Sequence, residues 1–300
     1  MTGRTELIRA LGAVADSPQA ARAVAPALGL APVSAAEHTD VFVLNLTPYA
    51  AAYLGPEGAL GGEAADRIAG FWRVLGIGPP AEPDHLSALL GLYASLGEAA
   101  ADARRPETAA ALARAQGTLL WEHLWSWLPP YLDTVRGLPA PGLAEWAGTL
   151  GRVIEAEAGR HPALPGLPLA LREAPSQELP REAGLRDWAQ LLTVPVRSGI
   201  IVTRHGLASG AGQVGVGARA GERRFTVRSM LEQDLAATAG WLAAEADGWV
   251  RRHRARRPAD AAAHWWAYRA WRTARALREL VGDPAATAVA ERHAGFGEPA

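Results

Sequence analysis

The sequence predicts an all-α fold. From about residue 5 to about residue 159 the apolar side chains recur at the three- and four-residue steps of a helix. Three of the predicted helices are long and amphipathic, so each needs a partner to cover its apolar stripe. No run of alternating apolar and polar residues, as strands would require, lies between them. Helices packed on helices satisfy all three observations.

The first helices are bounded by capping signals. Ser17 followed by Pro18 predicts a helix start, and Gly29 predicts a helix end. Residues 34–37, Ser-Ala-Ala-Glu, have the capping-box pattern and open a further helical segment. Residues 63–75 are predicted to form the next helix, because a break rich in glycine and proline follows them.

The three long helices come next. The first opens at Pro83 and repeats leucine on one face. The second covers residues 112–128 and is predicted to end at Pro129 and Pro130. The third runs from Gly142 with its apolar residues at the same period. Their stripes would form the core of an N-terminal domain.

Beyond these helices the sequence becomes rich in proline. Five prolines within residues 161–184 predict a linker or an irregular wrap. Residues 194–203 have some strand character and could equally cross the fold as an extended segment. Ser229 and Glu232 form a capping-box pattern that starts a helix, and residues 259–281 are predicted to be the last strong helix.

Composition excludes several classes of protein. The 300 residues carry 30 arginines, no lysine and 31 acids, and the net charge of −1 argues against a dedicated nucleic-acid binder. The absence of cysteine excludes disulfides, thiolate nucleophiles and cysteine-ligated metals. No apolar run approaches the roughly 20 residues of a membrane-spanning helix, and no secretory signal opens the chain. We therefore expect a cytoplasmic protein without stable membrane insertion.

Charge is divided unevenly along the chain. Residues 1–180 contain 12 arginines and 19 acids, net −7, whereas residues 181–300 contain 18 arginines and 12 acids, net +6. The acidic part could attract a cationic partner, or it could face the basic part. A solvated surface without a partner is an equally acceptable interpretation.

Sequence signatures of catalysis are missing. A chain without lysine cannot carry the phosphate-binding loop that ends in lysine, and there is no dinucleotide motif, no His-Glu-x-x-His and no Gly-x-Ser-x-Gly. Glu122 and His123 are neighbours on a helix and point in different directions, which is poor geometry for an acid and a base. We predict that the protein is not an enzyme and that it has no catalytic residue, no metal and no cofactor.

Four short segments stand out from this background. They read Asn-Leu-Thr-Pro-Tyr-Ala-Ala-Ala-Tyr-Leu-Gly at 45–55, Phe-Trp-Arg-Val-Leu-Gly at 71–76, Glu-Pro-Asp-His-Leu at 82–86 and Glu-His-Leu-Trp-Ser-Trp-Leu-Pro-Pro-Tyr-Leu at 122–132. In this order and spacing they resemble the TorD/DmsD/NarJ family of cytoplasmic chaperones, which mature complex iron–sulfur molybdoenzymes. The resemblance extends from about residue 40 to about residue 160 and departs from the family pattern at Thr47, where many relatives have a second proline.

The resemblance implies a helical bundle of the TorD/DmsD chaperone type over residues 1–160. It does not cover the mostly helical residues 185–300, which look like an extension found on some longer members of the family and follow the predicted proline-rich linker. It implies no catalysis. The partners would be the catalytic subunit of a molybdopterin-containing oxidoreductase and its twin-arginine leader, held for cofactor insertion before export or assembly. The alternative is a non-catalytic scaffold or regulatory subunit that stays in the molybdoenzyme complex. Helix exchange in the family would allow a homodimer.

A twin-arginine leader offers two guanidinium groups and a short apolar run, so its receptor needs an apolar groove with acids beside it. Glu82 and Asp84 are candidates to pair with the arginines, because a carboxylate binds a guanidinium through two hydrogen bonds. The residues predicted to contact the leader or client are Glu82, Pro83, Asp84, His85, Tyr49, Tyr53, Trp72, Trp121, His123 and Trp125.

Several of these residues have a structural alternative. Asp84, at the entrance of a helix, could instead cap free backbone N–H groups. His85 could be packed, and the start of the helix should lower its pKa, which would leave it neutral at pH 7. Tyr49 and Tyr53 would share one face of a helix and could belong to the core. If residues 82–85 were sealed under other side chains with no furrow within reach, the binding hypothesis would fail.

Tryptophans mark the last motif and the extension. Trp127 continues an apolar stripe and is predicted to be in the core, whereas Trp121 or Trp125 would line a groove. In the last helix Trp266 fits the apolar stripe, but Trp265 does not and is predicted to mark an interface. A basic run could be a solvated helix end or a contact for an acidic surface of a client or of another copy; it consists of Arg251, Arg252, Arg254, Arg256 and Arg257.

Overall fold

The computed structural model describes residues 3–56, 58–163, 166–179, 182–219, 221–256 and 260–282. These residues form helices joined by turns, and none of them belongs to a strand, which confirms the all-α prediction. The chain divides into two compact units: unit 1 is Met1–Gly55 with Ala59–Ala170, and unit 2 is Pro56–Gly58 with Leu171–Ala300. The domain boundaries at residues 160 and 184 stay a prediction. None of the described helices is long and apolar enough to cross a membrane.

Unit 1 consists of helices that alternate with short turns. The helices are α1 (Gly3–Asp16), α2 (Pro18–Val24), α3 (Ala35–Thr39), α4 (Ala51–Leu54), α5 (Gly62–Val74), α6 (Leu86–Asp102), α7 (Pro106–Thr118), α8 (Leu128–Arg136), α9 (Pro141–Ala158) and α10 (Leu169–Arg172), which crosses the boundary between the units. Two π-helical turns, Asp40–Asn45 and Leu119–Leu124, interrupt the regular helices. Such turns change which side chains a helical face presents, and the second of them carries motif residues.

Local signals place several of these helices as predicted. Ser17 caps α2 by accepting a backbone N–H at 3.2 Å. Gly29 ends the short turn that follows, with a φ of 69°. Ser34 and Glu37 make both hydrogen bonds of a capping box at the start of α3. These helix ends depend on neighbours in sequence, which is why the sequence predicts them.

The core of unit 1 lies where α1 packs on α6 and α8 packs on α9. Trp146 of α9 is fully buried, and its indole N–H donates to the carbonyl oxygen of Leu11 at 2.8 Å, which ties α9 to α1. Trp127 is also fully buried, as predicted, and stacks on Tyr53 with ring centroids 5.3 Å apart. Because an aromatic pair adds about 1 kcal/mol beyond its buried area, this core holds the motif-bearing turns firmly.

One predicted helix end in unit 1 is wrong. Residues 112–128 do not form a single helix that stops at two prolines. Instead α7 ends at Thr118, the π-helical turn follows, and Pro129 and Pro130 lie in the first turn of α8. The first N–H groups of a helix have no acceptor within the helix, so proline, which has no N–H, suits a helix start as well as a helix end.

Unit 2 contains α11 (Leu185–Thr193), α12 (Pro195–Ser198), α13 (Arg204–Val214), α14 (Arg223–Gln233), α15 (Leu235–Arg254) and α16 (Ala261–Leu280). The two longest helices, α15 and α16, pack on each other, and α11 packs on α14. Trp266 is buried, as its stripe predicts. Trp265 is buried too, with the Arg269 guanidinium 4.7 Å from its ring centre, so its predicted place at an interface is wrong.

Two further predictions for unit 2 are wrong. Residues 194–203 are not a strand, because their first part forms α12 and the rest has no regular structure. Ser229 and Glu232 do not open a helix but lie inside α14. The next helix, α15, is capped by Asp234, whose carboxylate accepts a backbone N–H at 2.9 Å. A serine and a glutamate three residues apart also share one face of a continuous helix, so the pattern alone does not identify a helix start.

The basic run at the end of α15 is exposed at Arg251, Arg252 and Arg254, whereas His253 among them is buried. Arg257 lies outside the described residues. Elsewhere in unit 2 a half-open cavity of about 420 Å³ is bounded by α11, by α16 and by the residues before α11. No motif residue lines this cavity.

Candidate functional site

The segments around Pro48 and Asp84 form one corner of unit 1. The backbone N–H of Leu86 donates to the carbonyl oxygen of Pro48 at 2.8 Å. Tyr49 and His85 face each other as an antiparallel backbone pair. Helix α6 begins at Leu86, not at the proline three residues earlier, because the residues between them are used to build this corner.

Asp84 holds the corner together. It is 4% exposed, and its carboxylate accepts a hydrogen bond from the Ala51 N–H at 3.0 Å. Asp84 therefore caps a helix, but that helix is α4 and not α6, which follows it in sequence. Burial raises the pKa of Asp84, and the Ala51 N–H opposes this rise. Its carboxylate faces inward and is engaged in the fold.

His85 occupies the N-cap of α6. Its Nδ1 accepts the Ser87 N–H at 3.2 Å and lies 2.7 Å from the Ser87 hydroxyl, which also reaches Asp16. Burial lowers the pKa of His85, while the charges of Glu82, Asp16 and Asp84 raise it. The direction of the shift is as predicted, but its main cause is burial and not the start of a helix.

Tyr49 and Glu82 form the open edge of the corner. Tyr49 is half-buried, and its ring meets the His85 ring edge to face at 4.7 Å. The Tyr49 hydroxyl donates to the exposed Glu82, and burial together with this carboxylate raises the pKa of Tyr49 to about 12. A phenol that donates one hydrogen bond orients a carboxylate and leaves its other lone pairs open to a cation.

Helix α5 contacts both this corner and the last motif. Trp72 of α5 is half-buried, and its indole N–H donates to the carbonyl oxygen of Pro83 at 3.3 Å. The preceding residue, Phe71, packs on His123 with ring centroids 4.9 Å apart. The rings of α5 therefore connect the Glu-Pro-Asp-His segment to the π-helical turn of the fourth motif.

His123 lies buried in that turn. Burial, together with the charge of Arg67, lowers the pKa of His123 to about 4. Trp121 and Trp125 pack edge to face with ring centroids 5.3 Å apart. Trp125 is buried and Trp121 is half-buried, so of the two Trp121 is the one placed to line a groove.

The segment that carries this geometry also matches a known family. Residues 13–133 match the family model described as "Nitrate reductase delta subunit", and they include all four motif segments. This match covers less than half of the chain and lies largely in unit 1, which is called the chaperone domain below because of this similarity. The resemblance to NarJ/TorD-type chaperones is thereby confirmed, and the family's role is the maturation of molybdoenzymes. No curated protein and no solved structure matches the chain significantly.

The chaperone domain gathers only part of the predicted residue set on its surface. Tyr49, Trp72 and Glu82 share the open edge. Asp84 and His85 lie beneath this edge with their polar atoms engaged. Tyr53 is buried, and its hydroxyl donates to a backbone carbonyl oxygen at 2.9 Å. Contact with a client stays a prediction for all of them.

Three residues of the chaperone domain that take part in this arrangement were not predicted. Phe71 could have been found, because it precedes Trp72 in the same motif. Asp16 and Ser87, which support His85, have no signal in the sequence, since Asp16 comes from α1 and meets Ser87 only in the folded chain. Among the described residues no group of three or more His, Asp or Glu side chains could hold a metal ion.

Substitution of Asp84 is expected to show whether its carboxylate stabilises the fold by accepting the Ala51 N–H. Asp84→Ala should lower the unfolding free energy by about 2 kcal/mol, because the buried Ala51 N–H loses its acceptor. Asp84→Asn should cost little, since its side-chain oxygen can accept the same N–H without a buried charge. Urea unfolding at pH 7 measures both variants. Equal losses in the two variants would contradict this account.

Proposed function

We propose that the chaperone domain binds the twin-arginine leader or N-terminal region of a molybdoenzyme catalytic subunit in the cytoplasm and holds that subunit for cofactor insertion. One observation carries the proposal: Tyr49 holds the exposed carboxylate of Glu82, and the half-buried Trp72 donates its indole N–H to the carbonyl oxygen of the next residue, Pro83. An oriented acid between aromatic rings suits a guanidinium, which can form two hydrogen bonds and stack on a ring.

The buried half of the corner supports this edge. Asp84 ties the segment that follows Tyr49 to the segment that contains Glu82, and His85 packs edge to face on the Tyr49 ring. Binding groups held by packing and hydrogen bonds lose little entropy when a ligand arrives. We therefore assign Asp84 and His85 to positioning and Glu82 to direct contact with the arginine.

Apolar side chains lie exposed at the end of the same helix. Val74, the last residue of α5, is 84% exposed, and Ile77 is 42% exposed. The N–H of Ile77 donates to the carbonyl oxygen of Trp72 at 3.1 Å, so this turn lies next to the ring that touches Pro83. Exposed apolar groups beside an acid match a segment that combines arginines with a short apolar run.

The test is a titration with a synthetic twin-arginine leader taken from a molybdoenzyme encoded beside this protein. Glu82→Gln should weaken binding about tenfold, because one charge-assisted pair is lost. Glu107→Gln removes the same charge from an exposed residue at the start of α7 and should leave binding unchanged. Calorimetry measures the affinities. A leader with both arginines replaced by glutamine is the control ligand. Equal affinities of the two variants, or no binding by the wild type, would refute the proposal.

The family's description as a delta subunit favours a second candidate: a scaffold that stays in the mature enzyme. Purification of the mature molybdoenzyme separates the two candidates. A chaperone is absent from the mature enzyme, whereas a scaffold is present in a fixed ratio to the catalytic subunit. Homodimer formation is also part of the proposal and is checked by sedimentation of the free protein.

A further inference from the structure

A second acid of unit 1, Glu122, belongs to the π-helical turn that α5 contacts. Trp72 touches the backbone of Pro83, and its neighbour Phe71 packs on His123. Glu122 directly precedes His123 in the π-helical turn and is half-buried. Helix α5 thus contacts the segment that contains Glu82 through Trp72 and the turn that contains Glu122 through Phe71.

The carboxylate of Glu122 is already engaged by the chain itself. The Glu122 carboxylate accepts the backbone N–H of Leu169 at 2.7 Å. Leu169 belongs to residues 166–170, Gly-Leu-Pro-Leu-Ala, here called the strap, in which Leu167, Pro168 and Ala170 are buried. The strap is a short apolar run, and in the sequence Leu171 and Arg172 follow it. An apolar run next to an arginine is also the composition of the proposed client segment.

We propose that the strap is an internal competitor for the client: it holds Glu122 in the free chaperone and is displaced when a client segment with an arginine binds. This inference rests on the proposed function. The strap gives Glu122 one hydrogen bond from a neutral backbone N–H, whereas a guanidinium gives two charge-assisted hydrogen bonds. The client therefore gains more from this carboxylate than the strap does.

Competition of this kind has a measurable consequence. When the strap occupies Glu122 for most of the time, the apparent affinity for the client is reduced by the fraction of molecules in which the site is open. A change that releases the strap should raise the affinity without altering any residue that contacts the client. A strap that served only to stabilise the fold would not have this effect.

Leu169→Pro releases the strap with little other change. It removes the N–H that Glu122 accepts, at the first position of α10, where proline is tolerated. The matched control is Ala163→Pro, which also places a second proline after an existing one but removes no hydrogen bond to Glu122. Leu169→Ala, which keeps the N–H, controls for the lost side chain. In the leader titration Leu169→Pro should bind about tenfold more tightly than either control.

A second measurement needs no variant. Hydrogen exchange of the Leu169 amide in the wild-type protein should become about tenfold faster when saturating leader is added, because the amide loses its acceptor. A leader whose arginines are replaced by glutamine should not have this effect. Slower or unchanged exchange on leader binding would overturn the inference.

The outcomes separate this inference from the proposed function. If the wild type binds the leader but Leu169→Pro binds no more tightly than its controls, the strap is structural and the inference fails while the function stands. If neither the wild type nor Leu169→Pro binds the leader, the proposed function fails and the inference fails with it. Binding by Leu169→Pro with weak or undetectable binding by the wild type supports both.

Discussion

Acidification from pH 7 to pH 4 is expected to lower the unfolding free energy of the chaperone domain by about 3 kcal/mol through His123 alone. The pKa of this buried imidazole is lowered to about 4 in the folded chain, from a usual value of 6.5. At pH 7 the ring is neutral in both states. As the pH falls below 6.5, His123 becomes protonated in the unfolded chain but stays neutral in the folded chain until the pH approaches 4. Protonation therefore favours the unfolded state.

Burial also lowers the pKa of His38, His85 and His161 in the same unit, and these shifts add to the effect with the same sign. Urea unfolding followed by tryptophan fluorescence at pH 7, 5.5 and 4 measures the decline. The decline should be smaller by about 3 kcal/mol in His123→Phe than in the wild type.

Tyr131→Phe is the control for this pH experiment, because it also removes a buried polar group from an aromatic residue of unit 1. Burial raises the pKa of Tyr131 far above this pH range, so Tyr131→Phe should show the same acid dependence as the wild type. If His123→Phe also loses stability as steeply as the wild type, the acid sensitivity does not come from His123.

Gly199→Ala is expected to lower the stability of unit 2 by about 3 kcal/mol or more. Gly199 ends α12 with a φ of 73°, a conformation that side chains other than glycine rarely adopt. A Cβ atom at this position would lie 2.2 Å from the backbone nitrogen of Ala270 in α16. The contact is with backbone, so it cannot be relieved by rotation of a side chain.

Gly215→Ala is the matched control for this substitution. Gly215 ends α13 with the same φ of 73°, but a Cβ atom there would meet nothing within 4 Å. Gly215→Ala should lower the unfolding free energy by about 1 kcal/mol, because only the unfavourable positive φ of alanine contributes. Urea unfolding of both variants separates the clash from the backbone strain, and equal losses would show that α12 does not approach α16 as closely as described.

The predicted helices agree with the structure where the signal is local. The caps at Ser17 and Ser34 involve partners within three residues, and the apolar stripe of α9 repeats within one helix. Errors arise where one pattern suits two structures. The Pro129–Pro130 pair fits a helix end or a helix start, and only the π-helical turn before it, stabilised by the packing around His123, decides for a start.

The candidate site shows the same division. The motif segments offer both Glu82 and Asp84 as partners for an arginine, with a helix cap as the alternative role of Asp84. In the folded chain the Ala51 N–H engages Asp84, and Glu82 remains on the surface with Tyr49. The sequence pattern does not predict which of the two acids is buried. The deciding hydrogen-bond donor, the Ala51 N–H, belongs to α4, which is far from Asp84 in sequence.

Composition and helical periodicity predict an all-helical chain, and four motifs predict the resemblance of its N-terminal part to a chaperone family, because each of these properties is local or belongs to the chain as a whole. Which acid is open, which tryptophan lines the surface and where the chain's own strap lies depend on the approach of segments far apart in sequence. Burial and hydrogen bonds between such segments exist only once the helices have packed, so these features belong to the tertiary structure alone.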